Sequence, residues 1–507
     1  MRRLLALCFG LWGAASAYGQ APSPTRGGGD SLLAGITRNA VTHLAVQGPV
    51  LWTSPKLAYT ADGGRSWRLA RADSLYNGRG TVYALHVEGD TIWASIGYSR
   101  RMELGGRVEF VPTAIGFVYS VDRGRSWTFR PPQLDAATDT VILYGRSRIR
   151  AVPVIAPEQS VVYDLHYRHG QLWVAGWASG IRRSRDMGRT WERIVLPPQE
   201  LSAIRPDEPY AFVLDPRRDF NFLGFSVFVD RRGVVWAGTA GGLHRSEDGG
   251  RSWRAIRASR APGALAGNWI IGIHEQPLGE QSRLWAITWP AQSEEHFALC
   301  VSADDGRTWR SLLWGERLYQ VAFQGRRIWA AGANGLFYSD DGFSWQHIRQ
   351  PALRSGGALR PDWIAYAVAV QDSLLWVGTS DGLLRSADGG RTWDLWRVEV
   401  PLRPMNPDPR MPEVETYAYP NPFAPRRDGW CRIRFALSRS GPVTVRIYDY
   451  ALNLVATLRR AEPLPAGTHE VPWDGQDAKG RRLANGVYFY VVETPSGTFR
   501  GKILLLE

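Results

Sequence analysis

Short segments with the composition of β-strands recur between about residue 40 and residue 400. Examples are VTHLAV (Val41–Val46), VYALHV (Val82–Val87), VVYDLHY (Val161–Tyr167) and YAVAV (Tyr366–Val370). Apolar runs rich in β-branched and aromatic residues, bounded by turn residues, are typical of strands that are at least half-buried. A second strand is predicted after each one, where an aliphatic residue precedes a tryptophan. These tryptophans are Trp52, Trp93, Trp173, Trp236, Trp285, Trp329 and Trp376.

Each unit then carries the motif Ser/Thr-x-Asp-x-Gly-x-Ser/Thr-Trp, where a third strand is expected to turn into a fourth. The aspartate can accept hydrogen bonds from backbone N–H groups of the turn, and glycine supplies the backbone freedom that the turn needs. The hydroxyls can bond to the same backbone, and the tryptophan can pack between neighbouring sheets. The copies are Thr60–Trp67, Ser120–Trp127, Ser184–Trp191, Ser246–Trp253, Ser302–Trp309, Tyr338–Trp345 and Ser386–Trp393. The predicted turn aspartates and packing tryptophans are Asp62, Trp67, Asp122, Trp127, Asp186, Trp191, Asp248, Trp253, Asp304, Trp309, Asp340, Trp345, Asp388 and Trp393.

Seven repeats of four short strands predict an all-β fold, a seven-bladed β-propeller over residues 31–400. The motif resembles the Asp-box, or bacterial neuraminidase repeat, of sialidases, sortilin-type receptors, xyloglucan-degrading glycosidases and the propeller assembly factors of photosystem II. In those families the box is a folding element on the rim, away from the active face. The resemblance therefore implies a fold and leaves the activity open.

Catalytic functions are weighed against the residues that each would require. A sialidase resemblance would require an Arg-Ile-Pro element near the first blade, and the nearest string, Ile204-Arg205-Pro206, has another order. Another glycosidase would need two carboxylates across a cleft, roughly 5 to 10 Å apart, which sequence alone cannot pair. A glycosidase is kept as the alternative. The box aspartates lack the ligand spacing of a calcium loop, and no metal site and no cofactor is expected.

A ligand-binding face is predicted opposite the boxes, where the second strand joins the third and one blade joins the next. These connections are long in the second and fifth units and after the second and third units. Long loops on one side of a rigid scaffold commonly carry binding, although they would also serve to cap the central channel. The candidate binding residues are Tyr98, Arg100, Arg101, Glu103, Tyr210, Asp215, Arg217, Arg218, Asp219, Trp289, Glu294, Glu295 and His296.

The composition favours a folded protein without a nucleic-acid partner. The chain has 507 residues, a net charge of +13 and 23 tryptophans, and 61 lysines and arginines of which only Lys56, Lys479 and Lys502 are lysines. The arginines are scattered and form no basic run or basic helix of the kind that follows a phosphate backbone. No nucleic-acid binding is therefore expected.

The N-terminus indicates export. Arg2 and Arg3 precede an apolar run, and Ala15-Ser16-Ala17 provides small residues for cleavage. Residues 1–17 are predicted to be a signal peptide and residues 18–30 a linker. No later segment has ~18 consecutive apolar residues, so no transmembrane segment is expected after cleavage. The protein is expected to be secreted or held on the outer cell surface, with the periplasm as the alternative.

The C-terminal region is predicted to be a separate small domain. Residues 401–416 are proline-rich and form a linker, and alternating strands over residues 417–507 predict an Ig-like β-sandwich. Val445–Asp449, Trp473-Asp474-Gly475 and Gly486-Val487-Tyr488 resemble the Ig-like domain of the flagellar hook-capping protein. With the opening Tyr419–Phe423, the layout is also similar to C-terminal sorting domains of the type IX secretion system. That resemblance implies the outer-membrane export machinery as a partner; the alternative is an accessory sandwich.

These features together predict an exported bacterial propeller that binds a protein or glycan ligand on its loop-rich face. The C-terminal domain would provide sorting or surface attachment. The alternative is a secreted glycoside hydrolase, sialidase-like or another carboxylate-pair enzyme.

Overall fold

The computed structural model describes residues 39–104, 107–354, 359–360, 362–397 and 414–507. Seven antiparallel sheets of at least four strands are followed by one sheet of three strands and one of four, whose buried side chains form a common core. The first strand of each of the seven sheets lies beside the first strands of its neighbours, so the sheets are the blades of a propeller. The predicted all-β fold, a seven-bladed propeller followed by an Ig-like β-sandwich, is confirmed.

The blades are consecutive along the chain. The first has β1 (Leu44–Gln47), β2 (Val50–Thr53), β3 (Ala58–Thr60) and β4 (Arg68–Leu69), and the second has β5 (Thr81–Glu88), β6 (Thr91–Leu104), β7 (Arg107–Ser120) and β8 (Thr128–Arg130). After β9 (Val141–Tyr144) and β10 (Ser147–Ala151), the third has β11 (Val162–Arg168), β12 (Gln171–Gly176), β13 (Gly180–Ser184) and β14 (Glu192–Arg193). After β15 (Ala203–Ile204) and β16 (Val213–Leu214), the fourth has β17 (Gly224–Val229), β18 (Val235–Thr239), β19 (Gly242–Ser246) and β20 (Trp253–Ile256).

The remaining blades have no additional strands. The fifth has β21 (Trp269–Leu278), β22 (Gln281–Trp289), β23 (Ala298–Ser302) and β24 (Arg310–Leu312). The sixth has β25 (Leu318–Gln324), β26 (Arg327–Gly332), β27 (Gly335–Ser339) and β28 (Gln346–Ile348), and the seventh has β29 (Ala365–Gln371), β30 (Leu374–Thr379), β31 (Gly382–Ser386) and β32 (Asp394–Trp396). Short 3₁₀ turns span Arg71–Tyr76, Pro157–Gln159 and Phe220–Phe222.

The turn between the third and fourth strands of a blade is held by its aspartate. In the second blade, Asp122 Oδ1 accepts hydrogen bonds from Ser120 Oγ (2.7 Å) and from Ser126 N–H (2.9 Å), while Oδ2 accepts from Ser126 Oγ (2.6 Å). Gly124 N–H donates to Ser120 Oγ (2.7 Å). In the first blade the corresponding hydrogen bonds lower the pKa of Asp62 to about 2, and the bond from the Ser66 side chain has the largest effect. The carboxylate is thus saturated by its own turn.

The sixth turn corrects the predicted alignment. Asp341, not Asp340, accepts hydrogen bonds from Ser339 Oγ (2.9 Å) and from Ser344 N–H (2.8 Å). Asp340 instead forms a surface ion pair with Arg327. One residue fewer separates the aspartate from the following glycine than in the other turns, and an alignment anchored on the tryptophan therefore selects the wrong carboxylate.

The glycine two residues before the second Ser or Thr of the turn lies against a tryptophan of the preceding blade. Gly250 has a φ of +88°, and a Cβ atom there would lie 2.8 Å from Cη2 of Trp173 in the third blade. A Cβ atom on Gly306 would lie 2.7 Å from Trp236 in the fourth blade. Both the left-handed backbone and the close approach therefore require glycine. In other blades the corresponding glycine also lies close to the strand tryptophan of the preceding blade. These pairs are Gly124 with Trp52, Gly188 with Trp93 and Gly342 with Trp285.

The ring closes between the seventh and first blades by the same contacts that join other blades. The Trp376 indole donates to Gln371 Oε1 (3.0 Å), and Gln371 Nε2 donates to the carbonyl of Gly48 in the first blade (3.0 Å). The ring of Trp376 also meets that of Trp67 edge-on at 6.2 Å. Equivalent bridges run from Trp52 through Gln47 to Gly89 and from Trp285 through Gln276 to Gly325.

The described chain divides into two compact units. One holds the chain up to His347 with 365–372 and 376–380; the other holds 348–364, 373–375 and 381–507. The second unit contains the sandwich, whose sheets are β33–β34–β37 and β36–β35–β38–β39. Its strands are β33 (Thr416–Tyr419), β34 (Cys431–Leu437), β35 (Gly441–Tyr448), β36 (Leu454–Leu464), β37 (Gly467–Trp473), β38 (Gly486–Thr494) and β39 (Gly497–Leu505), with one helical turn, α1 (Pro425–Asp428).

A buried ion cluster lies within this second unit. Asp381 Oδ2 accepts hydrogen bonds from Arg397 Nη2 (3.2 Å) and Arg432 Nη2 (3.1 Å). Glu470 accepts from Arg397 Nη1 (2.9 Å) and Arg434 Nη1 (2.8 Å). The side chains of Arg397 and Arg432 are only 1% and 2% exposed. Burial opposes ionisation of Glu470, but Arg397 and its other partners hold the pKa of this carboxyl below its usual value.

Some predictions fall outside the described residues. They are the signal peptide (1–17), the N-terminal linker (18–30) and most of the proline-rich linker (401–416). Within the described ranges, no helix is long and apolar enough to cross a membrane.

The shifted sixth turn gives a first prediction. Asp341→Ala should lower the melting temperature, because Ser339 Oγ and two backbone N–H groups lose their acceptor. Asp340→Ala removes only a surface ion pair and should change the unfolding free energy by less than about 1 kcal/mol. Scanning calorimetry of both variants is the measurement, and equal melting temperatures would contradict the shifted register.

The ion cluster gives a second prediction. Asp381→Asn should lower the unfolding free energy by about 3–5 kcal/mol, because the buried Arg432 and Arg397 both lose the negative charge of Asp381, although Arg397 keeps Glu470. The matched control is Asp362→Asn, since Asp362 pairs with Arg360 but its side chain is 57% exposed; its effect should stay below about 1 kcal/mol. Urea unfolding followed by near-UV circular dichroism provides the comparison. An Asp381→Asn protein as stable as the control would show that the cluster is energetically neutral.

Candidate functional site

The face opposite the box turns is termed the loop face. It is formed by the connections from second to third strands and from one blade to the next. In the second blade the predicted loop is instead a long β-hairpin, since β6 and β7 pair from Ile92–Ser120 to Leu104–Arg107. Tyr98, Arg100, Arg101 and Glu103 all lie on β6 of this hairpin.

The hairpin exposes both apolar and charged side chains. Tyr98, Val108 and Phe110 are 38%, 47% and 54% exposed. Arg100 donates to Glu158 (2.8 Å) in the connection that follows the second blade. Arg101 and Glu103 are exposed. The predicted residues of this group are therefore accessible, on a β-hairpin rather than a loop.

The long connections around the third blade fold into additional sheet structure. β16 pairs with β10, and β15 pairs with β20, the outermost strand of the fourth blade. Tyr144 Oη donates to the carbonyl of Arg251 in the box turn of the fourth blade (2.7 Å). Since β20 is an outer strand and Arg251 belongs to a turn on the opposite face, these connections run down the rim of the blades.

Three predicted binding residues have internal roles in this rim segment. The Tyr210 hydroxyl donates to Glu208 (2.7 Å) and accepts from Arg205 N–H (2.9 Å). Asp219 is 8% exposed and accepts from Gln199 N–H and Asn221 N–H, both at 2.8 Å. Asp215 is 3% exposed. The polar atoms of these three residues thus serve the fold of the segment, and their role in a ligand site stays a prediction.

The neighbouring arginines differ in accessibility. Arg217 forms a two-pronged contact with Asp215, with both N–O distances at 2.8 Å. Arg218 is 83% exposed and lies 3.7 Å from the same carboxylate. Of the five predicted binding residues in this rim segment, Arg217 and Arg218 have the side chains that are most exposed to solvent.

The fifth-blade connection also separates into structural and accessible residues. Glu295 accepts from Asn268 N–H (2.8 Å) and from Ala291 N–H (2.8 Å), so it holds the connection together. Trp289 is 4% exposed and donates its indole N–H to the carbonyl of Leu318 (2.9 Å). Glu294 is exposed and pairs with Arg260 (2.7 Å).

An exposed aromatic pair lies beside this connection. His296 meets the edge of Trp314 with 5.2 Å between ring centroids, and Trp314 is 58% exposed. Gly315 N–H donates to the carbonyl of Phe297 (2.9 Å), which fixes the connection after the fifth blade against the one inside it. Trp314 was not among the predicted residues, although an isolated tryptophan in a Gly-containing connection was a usable signal.

A recurring β-bulge at the loop-face end of the first strands was also missed. The register shifts by one residue at this point in five blades. Bulges re-aim side chains and are frequent beside binding sites. The extra residues are Tyr83, Tyr163, Phe225, Ile271 and Tyr319, four of them aromatic. Several of these rings meet neighbours, as at Tyr163–Phe225 (6.5 Å) and Tyr319–Tyr366 (5.5 Å).

Arg317 lies against these aromatic rings. Its guanidinium carbon is 4.4 Å from the ring centroid of Trp289 and 5.8 Å from that of Tyr319. Its Nε is buried, and no group of the described chain accepts a hydrogen bond from it. Arg317 is thus a half-buried cation held by π faces rather than by a carboxylate.

Asp164 is the carboxyl in this region with the most unusual environment. Burial raises its pKa to about 7. Its oxygens accept backbone N–H groups of Leu165 and of Val227 in the fourth blade, each at 2.9 Å. Gln320 makes the corresponding bond to Val368 N–H in the seventh blade (3.0 Å). The amide of Gln320 thus makes the same kind of hydrogen bond in the sixth blade as the carboxyl of Asp164 makes in the third. At both positions the side chain links the first strands of neighbouring blades.

Cavities and metal ligands give no further site. The two best-formed cavities have volumes of about 10 and 20 Å³, and neither is lined by a carboxylate. No group of three or more His, Cys, Asp or Glu side chains within the described ranges is arranged to hold a metal ion.

The comparison with family models agrees with the C-terminal part of the fold. Residues 431–498 match the family model of the FlgD Ig-like domain. No curated protein matches the chain by sequence.

Solved propeller structures are similar at low identity. YCF48 bound to D1 peptide is 16% identical over 68% of this chain and 91% of that chain, with a TM-score of 0.39. PorZ, described as an essential bacterial surface component of the type-IX secretion system of Porphyromonas gingivalis, is 14% identical over 92% and 75%, with a TM-score of 0.35. The GH74 xyloglucanase of Xanthomonas campestris is 13% identical over 93% and 73%, with a TM-score of 0.46. These similar structures thus include a peptide complex and a glycosidase.

Proposed function

We propose that the chain is an exported propeller that binds a protein or glycan ligand on its loop face. The observation that carries the proposal is the different state of polar groups on the two faces. The box aspartates are saturated by their own turns, as at Asp122 and Asp341. The loop face presents Trp314 in solvent and the Arg317 guanidinium on the ring of Trp289. Accessible aromatic and cationic groups on a rigid scaffold favour recognition.

We further propose that the sandwich serves export or surface attachment. The N-terminal sequence indicates a signal peptide, and the Tyr419–Phe423 opening is similar to type IX sorting domains. The match of residues 431–498 to an Ig-like family supports a discrete module at this position. Its partner would be the outer-membrane export machinery.

The binding proposal is tested with the complete mature chain on glycan and peptide arrays, beside a glycosidase activity screen. The complete chain is needed because ending it at residue 400 would remove Arg432, a partner of the buried Asp381. Binding that is lost in Trp314→Ala, but kept in a variant of the opposite face such as Asp340→Ala, is the expected outcome. Hydrolysis of a glycan would instead support the alternative, a secreted glycosidase. No binding on either array would contradict the proposal.

The export proposal predicts a location that depends on the type IX machinery. In a bacterium that has the system, the full chain should reach the cell surface or the medium. In an isogenic strain without the outer-membrane translocon it should accumulate in the periplasm. Cell fractionation with a periplasmic marker enzyme measures this. The same distribution in both strains would leave the sandwich as an accessory domain.

A further inference from the structure

We propose that the turn between β35 and β36 docks on an anionic lipid surface, with the side chains of Tyr450, Leu452 and Leu454 inserted among the lipids. The inference rests on the proposed role of the sandwich in surface attachment and specifies the kind of surface. It is carried by the exposure of these side chains, by the hydrogen bonds inside the turn and by two lysines beside it.

The tip of this turn exposes three large apolar side chains within five residues. Tyr450, Leu452 and Leu454 are 80%, 69% and 56% exposed, and Tyr450 is the most exposed large apolar side chain of the described residues. The ring of Tyr450 meets that of Phe489 at 6.5 Å, and Tyr448 lies between Leu454 and Phe489 in the register of the sheet. Single exposed apolar residues are common, whereas a contiguous group marks an interaction site.

The backbone conformation of Leu452 also favours a role outside the fold. Its φ is +63°, in the left-handed region where glycine is favourable and leucine is not. Its N–H donates to the carbonyl of Asp449 (3.0 Å), which holds the backbone in this conformation. A side chain that is mostly in solvent at such a position stabilises the fold little, and residues with strained backbones are frequent at binding sites.

The polar groups at the base of the turn are bonded to one another. The Asp449 carboxylate accepts from Asn453 N–H (2.8 Å) and from Asn453 Nδ2 (2.9 Å), and Asp449 N–H donates to the Asn453 carbonyl (3.0 Å). Moving a polar group out of water is unfavourable unless it keeps a hydrogen bond. This turn can therefore enter the edge of a lipid layer at a smaller cost in free energy than an open loop.

Two lysines lie beside the apolar tip. Lys502 on β39 is the cross-strand neighbour of Phe489. Ala478 N–H donates to the carbonyl of Val455 (3.0 Å), which places the loop that contains Lys479 beside β36. Both lysines are exposed. The apolar patch thus has an ammonium group near each of two sides.

The charge of these lysines favours an anionic surface. Among the lysines of the described residues, Lys56 forms an ion pair with Asp73, whereas Lys479 and Lys502 form none. Anionic lipids attract basic groups near the surface, and a lysine can lay its stem on apolar groups while its ammonium stays at the head groups. Tyr450 also suits this boundary, because its ring is apolar and its hydroxyl is polar.

A lipid surface is favoured over a protein partner by the form of the patch. A stable protein interface buries roughly 800 Å² on each partner, with a packed apolar centre. Here the most exposed apolar side chains lie on a single short turn with cations beside them. A bilayer accommodates this arrangement, since apolar side chains enter the acyl boundary and cations remain at the head groups.

The test is co-sedimentation of the full mature chain with phosphatidylcholine vesicles that contain about 30 mol% phosphatidylglycerol, beside vesicles of phosphatidylcholine alone. The chain should partition onto the anionic vesicles. Tyr450→Ala combined with Leu454→Ala should weaken this partitioning by about tenfold or more, because apolar area that leaves water is lost. The matched control is Leu143→Ala, which removes a side chain that is 73% exposed on β9 of the propeller and should bind as the wild type does.

Two further comparisons separate docking from folding and from general charge. Leu452→Gly places glycine where the backbone favours it, so it should weaken partitioning several-fold without lowering the melting temperature. Lys479→Gln combined with Lys502→Gln should weaken partitioning several-fold. The charge control is Arg65→Gln combined with Arg326→Gln, which removes two exposed guanidinium groups of the propeller and should weaken partitioning less than about twofold.

Each other outcome overturns the inference. Equal losses in the lysine pair and the arginine pair would indicate general attraction to a positive protein. Partitioning that Leu452→Gly and the Tyr450 variant leave unchanged would exclude the turn, and equal partitioning onto both kinds of vesicle would exclude the role of the lysines. Absence of vesicle binding, with capture of an outer-membrane protein that the Tyr450 variant loses, would assign the patch to a protein partner.

The outcome for the export role is separate. Absence of vesicle binding by a chain that still needs the outer-membrane translocon would refute lipid docking while the proposed role of the sandwich stands. Vesicle binding through the turn by a chain whose location does not depend on the translocon would support lipid docking and refute the export role.

Discussion

The propeller depends on one repeated contact, in which the strand tryptophan of one blade packs against the box turn of the next. A four-stranded sheet has two faces, and neither is buried until neighbouring blades cover them. Trp173 makes this contact at Gly250 and Trp236 makes it at Gly306, where no Cβ atom would fit. One such indole removes roughly 150–250 Å² from water. Because each blade needs the next, the ring is complete only when Trp376 meets the first blade at Trp67.

This contact also determines where a ligand can be recognised. The polar groups that make the box conspicuous are consumed in shaping a turn tight enough to receive the tryptophan. The aspartate satisfies N–H and hydroxyl groups of its own turn, and the left-handed glycine brings the backbone close to the indole. Groups that are fully engaged in this way have little to offer a ligand. The first strands end on the other face without a turn of this kind. At these ends lie the bulged aromatic residues, such as Tyr163 and Tyr319.

The sequence was informative wherever a short-range pattern repeats. Seven tryptophan pairs and seven turns predict seven blades, because each unit is local and its copies confirm one another. The site could be predicted only in part. Asp219 and Tyr210 have the composition of a binding loop, but their partners come from a rim segment that the pattern does not reveal. Arg317 is one arginine among many in the sequence, and only the fold shows that it lies against the rings of Trp289 and Tyr319. Asp340 and Asp341 differ by one position, which a tryptophan-anchored alignment cannot resolve.

The buried ion cluster joins segments that are distant in the sequence within one compact unit. Asp381 precedes the third strand of the seventh blade, whereas Arg432 and Glu470 belong to strands of the sandwich, and all three lie in one compact unit. Removing one partner of a buried ion pair is unfavourable in free energy, because the other charge would remain buried without compensation. Ending the chain before the sandwich would therefore leave the buried Asp381 and Arg397 without Arg432 and Glu470.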